Sequence, residues 1–285
     1  MVSYLLYRTG QAIVLNLPIK LSYKIAAFLS DIHYIFAYQD RKAVRENLKI
    51  IFPEKTNNEI RKISVRAFRN FAKYLVDFFC FQRLDARYIK NNIRIENRHY
   101  FDEALSKGKG VVVLSAHLGN WELGGVVTAI LGYQFYVVAL PHKDKKVDDL
   151  FNYQRESKGM KVVPLGRAVA ACLNALKENK MVGLAADRDF TEKGVIVDFF
   201  GRPSCFPKGP AAFALKTGAA IVPAFMLRNE DDSFVLKIER PLEFIPSGKK
   251  DNDLVGIVRK YKVIFEDYIR RYPDQWYMFR RFWIT

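Results

Sequence analysis

Apolar positions in the first part of the chain recur at helical spacing. Residues 4–17 are mostly apolar, broken by Arg8, Thr9 and Gln11, and Pro18 stops the segment. Residues 19–38 continue with apolar and aromatic side chains interrupted by Lys20, Lys24, Asp31 and His33. The segment 41–51 reads as a short helix that ends before Pro53. Thr56 with Glu59 three residues on forms a capping box. It opens a long helix to about residue 81, along which Phe68, Phe71, Ala72, Leu75, Phe78 and Phe79 make one stripe, read as a core face.

From about residue 93 the pattern changes. Short runs of strand type at 93–95, 110–115, 135–140, 161–163 and 181–185 alternate with helical segments at 98–106, 121–131, 147–158 and 168–178. Alternation of this kind implies a largely parallel sheet with helices on its faces. The segment 211–217 reads as a helix, 220–227 as a strand, and 233–239 as a strand antiparallel to it. A long amphipathic helix at 254–271 precedes an aromatic tail. The fold class is therefore α/β: a mostly parallel mixed sheet flanked by helices, with an N-terminal helical segment. The expected division is residues 1–90, helical and membrane-associated, and residues 91–285, the α/β core.

Composition narrows the partners. The 285 residues carry 46 Lys and Arg against 30 Asp and Glu, a formal charge of +16, which asks for anionic partners. No zinc-finger spacing and no RNA-binding aromatic signature is present, so nucleic acid is not expected. Anionic lipid or an acidic protein remains. Aromatic content of 14% suits an apolar ligand or a headgroup layer as well as a core. The cysteines, Cys80, Cys172 and Cys205, lack metal or redox spacing, and their odd, sparse count argues for a reducing compartment. No apolar run reaches the length of about 18 residues that marks a confident membrane span. A signal peptide is not expected either, because no small-residue cleavage site follows a clean apolar core. Two amphipathic helices against a membrane surface fit the N-terminus as well as a buried hairpin does. Arg41, Lys42, Arg45 and Lys49 favour the cytoplasmic face.

The chemistry concentrates in VVVLSAHLGNWELGG, residues 111–125. An apolar strand delivers His117 into a tight turn supplied by Gly119 and Asn120, and Glu122 follows five residues after the histidine, where a helix begins. An imidazole with a carboxylate can take a proton from a hydroxyl. The carboxyl end of a buried strand is where open α/β sheets place their ligands. Glu122, in the first helical turn, is expected to stay ionised and to hold the imidazole tautomer.

Other candidates lie elsewhere. Arg155 sits on the helix after the third strand, and Asp187 and Arg188 directly follow strand 181–185, with Asp189 adding a carboxylate nearby. The Gly/Pro-rich segment 199–210 reads as a loop in which backbone amides with Arg202, Lys208 and Gly209 could cradle a phosphate or an oxyanion. It lacks P-loop spacing. Neither Ser115 nor Cys205 sits in a nucleophile elbow, so direct attack by a substrate hydroxyl is expected rather than an acyl-enzyme. No metal site is expected.

His117-Leu-Gly-Asn-Trp-Glu122 resembles the H-x-G-N-W-E motif of the bacterial lipid A biosynthesis acyltransferases, the lauroyl/myristoyl type, within the glycerolipid acyltransferase superfamily. The resemblance extends to Asn47-Leu48, Phe52-Pro53, Arg155 with Gly159, Asp187-Arg188, Phe199-Phe200-Gly201, Gly209-Pro210-Ala211 and Thr217-Gly218-Ala219 with Pro223. It ends at Pro273-x-x-Trp276 with Arg280-Arg281, where the tail departs from the Trp and His common in the family. It implies that His117 is the general base, oriented by Glu122, for attack of a lipid A precursor hydroxyl on the thioester of acyl carrier protein or coenzyme A. Asn120, Arg155, Asp187, Arg188, Lys208 and Gly209 are the residues expected to bind substrate, Arg155 and Arg188 through phosphate or the oxyanion. No cofactor is implied, and the expected location is the cytoplasmic face of the inner membrane. The alternatives are an acyl-CoA-dependent enzyme for a lysophospholipid or a glycosylated phosphatidylinositol, or a non-catalytic basic membrane-binding protein.

Overall fold

A computed structural model describes residues 2–189 and 193–283. Four helices open the chain: α1 (Val2–Asn16), α2 (Ile19–Phe36), α3 (Tyr38–Ile51) and α4 (Asn57–Phe79). Pro18 separates the first two, and the Thr56–Glu59 capping box starts the fourth, the Thr56 side chain accepting from the Glu59 amide. A short helix α5 (Ala86–Asn92), not expected from the sequence, is capped by the Asp85 carboxylate on the Tyr88 amide.

The remaining elements alternate as expected. They run β1 (Ile93–Glu96), α6 (His99–Ser106), β2 (Val111–Ser115), α7 (Trp121–Ile130), β3 (Phe135–Ala139), α8 (Lys145–Glu156), β4 (Lys161–Pro164), α9 (Ala168–Lys177) and β5 (Met181–Ala185). Strands β6 (Val195–Phe199) and β7 (Arg202–Phe206) then form a separate antiparallel hairpin, where the sequence led us to expect a loop. Helix α10 (Gly209–Thr217), β8 (Ala220–Arg228), β9 (Phe234–Ile238) and α11 (Lys250–Arg271) complete the order.

Seven strands form one sheet in the order β1-β9-β8-β2-β5-β3-β4, parallel except for the β8–β9 pair. Strand β2 lies at its centre with Val111, Val112 and Leu114 fully buried, which explains its unbroken apolar run. Successive β2 residues feed opposite faces. Val112 and Leu114 join a cluster with α9, α10, α11 and the hairpin, whereas Val111 and Val113 join one with α4, α6 and α7. The N-terminal helices enter both clusters, through Leu48 and Ile60 on one face and Tyr23 and Phe78 on the other. Among the described residues no helix is long and apolar enough to cross a membrane.

Candidate active site

Register builds the site. Strands β2 and β5 are parallel neighbours with Ser115 opposite Ala185. Two residues further along each strand, His117 and Asp187 leave the sheet side by side at its carboxyl edge. The Asp187 Oδ1 atom lies 2.6 Å from His117 Nδ1 and accepts the His117 backbone N–H at 3.1 Å. Its Oδ2 accepts the indole N–H of Trp276 at 3.0 Å. Asp187 is fully buried, and burial works to raise its pKa. His117, then Arg188 and the Trp276 N–H, prevail and hold the carboxyl well below the usual carboxylate range.

An ionised Asp187 makes Nδ1 the protonated nitrogen and leaves Nε2 as the acceptor. The imidazole is 16% exposed, so Nε2 can meet a substrate hydroxyl. An imidazolium formed there would face the buried carboxylate, which stabilises it.

The turn after β2 is pinned from two sides. Gly119 has φ of +64°, and a Cβ there would overlap the carbonyl oxygen of Met226. The Gly119 amide donates to the Gln275 carbonyl at 2.8 Å and the Tyr277 amide to the His117 carbonyl at 3.0 Å. The tail around Trp276 thus pairs with the His117 turn like a short antiparallel strand. Asn47 holds the continuation of that tail, its amide donating to the Met278 and Arg280 carbonyls and its Oδ1 accepting the Phe282 amide. The sequence reading placed no chemistry on the tail; the structure makes Trp276 a direct partner of Asp187.

Glu122 is not where the sequence led us to expect it. Both of its oxygens are taken by Arg155, from Nε at 2.9 Å and from Nη2 at 2.5 Å. The reason is direction: Glu122 projects from the first turn of α7 toward α8, whereas His117 turns toward β5. The carboxylate that contacts the imidazole is therefore Asp187 and not Glu122. Arg155 is likewise committed inside the protein, since its Nη1 donates to Asn152 at 3.2 Å and the residue is 8% exposed. Burial works against its charge, and Glu122 more than offsets that, so its pKa stands above the ordinary arginine value. The expectation that Arg155 binds phosphate or the oxyanion gives way to a buried ion pair that fixes α8 against α7.

Asn120 also makes its hydrogen bonds inside the fold. Its Oδ1 caps α7 on the Leu123 amide at 3.0 Å, and its Nδ2 donates to Asp77 Oδ2 at 2.8 Å. Asp77 further accepts from Tyr23 at 2.5 Å and from Arg228. This buried network, absent from the sequence reading, ties α2 and α4 to α7 and β8. Burial works against the Arg228 charge, and Asp77 more than offsets it. Gln275 then bonds the Arg228 backbone through both ends of its amide, which joins the network to the tail.

Arg188 is a cation beside Asp187. Its Nη2 donates to the Tyr277 carbonyl, while its buried Nε has no hydrogen-bond partner. Burial lowers its pKa, Asp187 opposes that, and Arg280 adds to the lowering. Lys208 is exposed at the cap of α10, and among the described residues the contacts that assemble the His117 cluster include neither Lys208 nor Gly209. No group of three or more His, Cys, Asp or Glu among the described residues could hold a metal ion.

One wall of the site is aromatic. Trp121 packs edge-on against His117 at 4.9 Å between ring centroids and stacks on Tyr74 at 4.8 Å. Tyr277 lies against both Tyr74 and Trp121.

The family model described as bacterial lipid A biosynthesis acyltransferase matches residues 1–285. A phosphatidylinositol mannoside acyltransferase of Mycolicibacterium smegmatis is 30% identical over 220 residues, 76% of this chain and 70% of that protein. The Mycobacterium tuberculosis protein of the same name is 27% identical over 265 residues, covering 91% of this chain and 82% of its own. A lipid A biosynthesis palmitoleoyltransferase of Escherichia coli is 26% identical over 281 residues, 94% of this chain and 88% of that protein. The chain is an acyl-transferring enzyme and belongs to the bacterial lipid A biosynthesis acyltransferase family.

Proposed function

We propose that the protein moves a fatty acyl group from an acyl thioester to a hydroxyl of an anionic membrane lipid, with His117 as general base and Asp187 as its orienting partner. The observation that carries this is the 2.6 Å contact between Asp187 and Nδ1 of a partly exposed His117. In the reaction Nε2 takes the proton of the hydroxyl as its oxygen attacks the thioester carbonyl carbon. The tetrahedral intermediate then collapses, the carbon–sulfur bond breaks, and the imidazolium returns the proton to the departing sulfur. An ester and a free thiol result. Arg188, the cation next to Asp187, is suited to the developing oxyanion or to a phosphate of the substrate.

The donor we favour is an acyl carrier protein, whose acidity suits a chain of charge +16, and the acceptor a lipid A precursor. A glycosylated phosphatidylinositol acceptor is the second reading. The specific support for it is the match to two mycobacterial phosphatidylinositol mannoside acyltransferases at 30% and 27% identity.

We further place the enzyme on a membrane surface, at the cytoplasmic face of the inner membrane. Large apolar side chains stand exposed along α1 and α2, among them Leu6, Ile13, Phe28, Ile32, Ile35 and Phe36. Such a patch suits insertion into the headgroup boundary. Residues 1–49 carry seven basic against three acidic side chains, which suits anionic lipid.

The test is transfer of a labelled acyl group by the purified protein, from acyl carrier protein and from coenzyme A. The acceptors are a tetra-acylated lipid A precursor, a mannosylated phosphatidylinositol and a lysophospholipid. Transfer to the first or second acceptor decides between the two readings. Transfer to none of the three by folded protein contradicts both.

A further inference from the structure

The N-terminal helices flank an open apolar cavity that the chemistry above does not use. It has a volume of about 510 Å³ and lies between α1, α2 and α4, with Val14, Ala26, Phe71, Ala72, Leu75 and Phe279 among its lining residues. Its walls are almost wholly carbon, and the polar side chains His33 and Asp40 are exposed at its edge. That volume is in the range of sites for a single small ligand.

Two observations say what fills it. The first is where it opens. Ile13, Ile25 and Leu29 line the cavity and are also exposed, so the cavity communicates with the apolar face of α1 and α2. Residues 1–49, across α1 to α3, carry seven basic against three acidic side chains, with Lys20, Lys24 and Lys42 exposed and Asp40 at the cavity edge, a surplus that suits anionic headgroups. On the membrane placement proposed above, an occupant reaching the cavity this way comes from a bilayer.

The second is what separates it from the base. Phe71 lines the cavity, its ring centroid 5.6 Å from that of Tyr74 and 5.4 Å from that of Tyr277. Behind them stands Trp121, and only then His117. Tyr74 and Tyr277 are both buried, so this partition is packed. An acyl chain lying in the cavity is therefore screened from Nε2, which favours a chain that takes no part in the reaction.

We infer that this cavity binds a non-reacting acyl chain of the anionic lipid acceptor, drawn sideways from the bilayer between α1 and α2. The inference rests on the lipid acceptor proposed above. A chain that leaves bilayer hydrocarbon for an apolar cavity gains little from desolvation, because lipid tails are as apolar as the wall. The cavity's contribution is position: it sets the depth and angle at which the acceptor hydroxyl meets His117.

Ala72→Phe on α4 and Ala26→Phe on α2 fill the cavity from opposite walls, so a folding defect in one leaves the other as a test. The probe is phosphatidylglycerol with a photoactivatable diazirine at the end of one acyl chain, in phosphatidylglycerol and phosphatidylcholine vesicles. In the wild type, cross-links are expected on Phe71, Ala72 and Leu75, and in the filled variants they are largely lost while vesicle binding persists. Cross-links confined to the outer residues Phe28, Ile35 and Phe36 overturn the inference.

A kinetic arm separates acceptor from donor. Filling the cavity is expected to shift the partition of acyl groups from acceptor toward water by about tenfold or more. Equal loss of transfer and of thioester hydrolysis means the cavity holds the donor chain, and it overturns the assignment. Absence of transfer by the wild type instead counts against the proposed reaction and leaves the cross-linking result standing on its own.

Discussion

Asp187→Asn is the substitution with the sharpest consequence. It keeps the shape of the side chain and removes its charge. The native carboxylate faces three donors: the His117 Nδ1–H at 2.6 Å, the His117 amide at 3.1 Å and the Trp276 indole at 3.0 Å. An amide offers an oxygen on one side only. With its oxygen toward His117, its NH2 confronts the Trp276 N–H and the imidazolium loses its counter-charge. With the amide reversed, NH2 faces Nδ1 and drives the imidazole proton onto Nε2, where the base is needed. In a Ser-His-Asp triad the corresponding change lowers kcat by about 10⁴-fold. Without a covalent step to share, we expect a fall of about 10³-fold or more, roughly 4 kcal/mol of barrier.

The confronted donors cost about 1–3 kcal/mol of stability as well, so the assay pairs kcat with denaturant unfolding and near-ultraviolet dichroism. The acid limb of stability gives an independent readout. Because the Asp187 pKa is depressed in the folded protein, its contribution is fully present above the unfolded carboxylate value of about 4 and is lost as pH falls from there. Wild type should lose more stability below about pH 4 than Asp187→Asn does. A folded Asp187→Asn enzyme with kcat within about fivefold of wild type would refute the reasoning.

Three other substitutions separate structural from chemical roles. Glu122→Gln leaves the buried Arg155 guanidinium without its counter-ion, so unfolding in denaturant should show a loss of about 3–5 kcal/mol, and Glu122→Leu with Arg155→Met should recover much of it. Trp276→Phe removes one donor from Asp187 and should lower kcat about tenfold while KM for the donor holds, as read by steady-state kinetics. Gly119→Ala forces a Cβ into the Met226 carbonyl at a positive φ and should cost more than about 2 kcal/mol, measured as a drop in Tm.

The alternation of strands and helices was legible because β2, β3 and β5 are short apolar runs closed by turn residues, and Pro18 and the Thr56 capping box are local signals. The β6–β7 hairpin was not recognised, since Pro203 and Gly201 read as loop. Its alternating burial, with Val195, Val197 and Phe199 inward and Ile196 and Asp198 outward, was nevertheless present as a period of two. His117 was legible from its motif. Its partner was not, because the pairing depends on β2 and β5 being neighbours, which is a property of strand order. Equal offsets of His117 and Asp187 from their strand ends were the available clue. Glu122 was nearer in sequence and misled for that reason, since a helix turned it toward Arg155. Trp276 and Asp77 act across separations of 89 and 43 residues, beyond the reach of local pattern.

The central claim is that His117 activates a hydroxyl for attack on an acyl thioester. Its most direct test is transfer of a labelled acyl group from acyl carrier protein to a lipid acceptor, comparing wild type with His117→Ala at matched fold. Removal of the base should abolish transfer to the background of the uncatalysed reaction, with the unfolding midpoint and vesicle binding retained. A well-folded His117→Ala protein that still transfers at the wild-type rate would contradict the account.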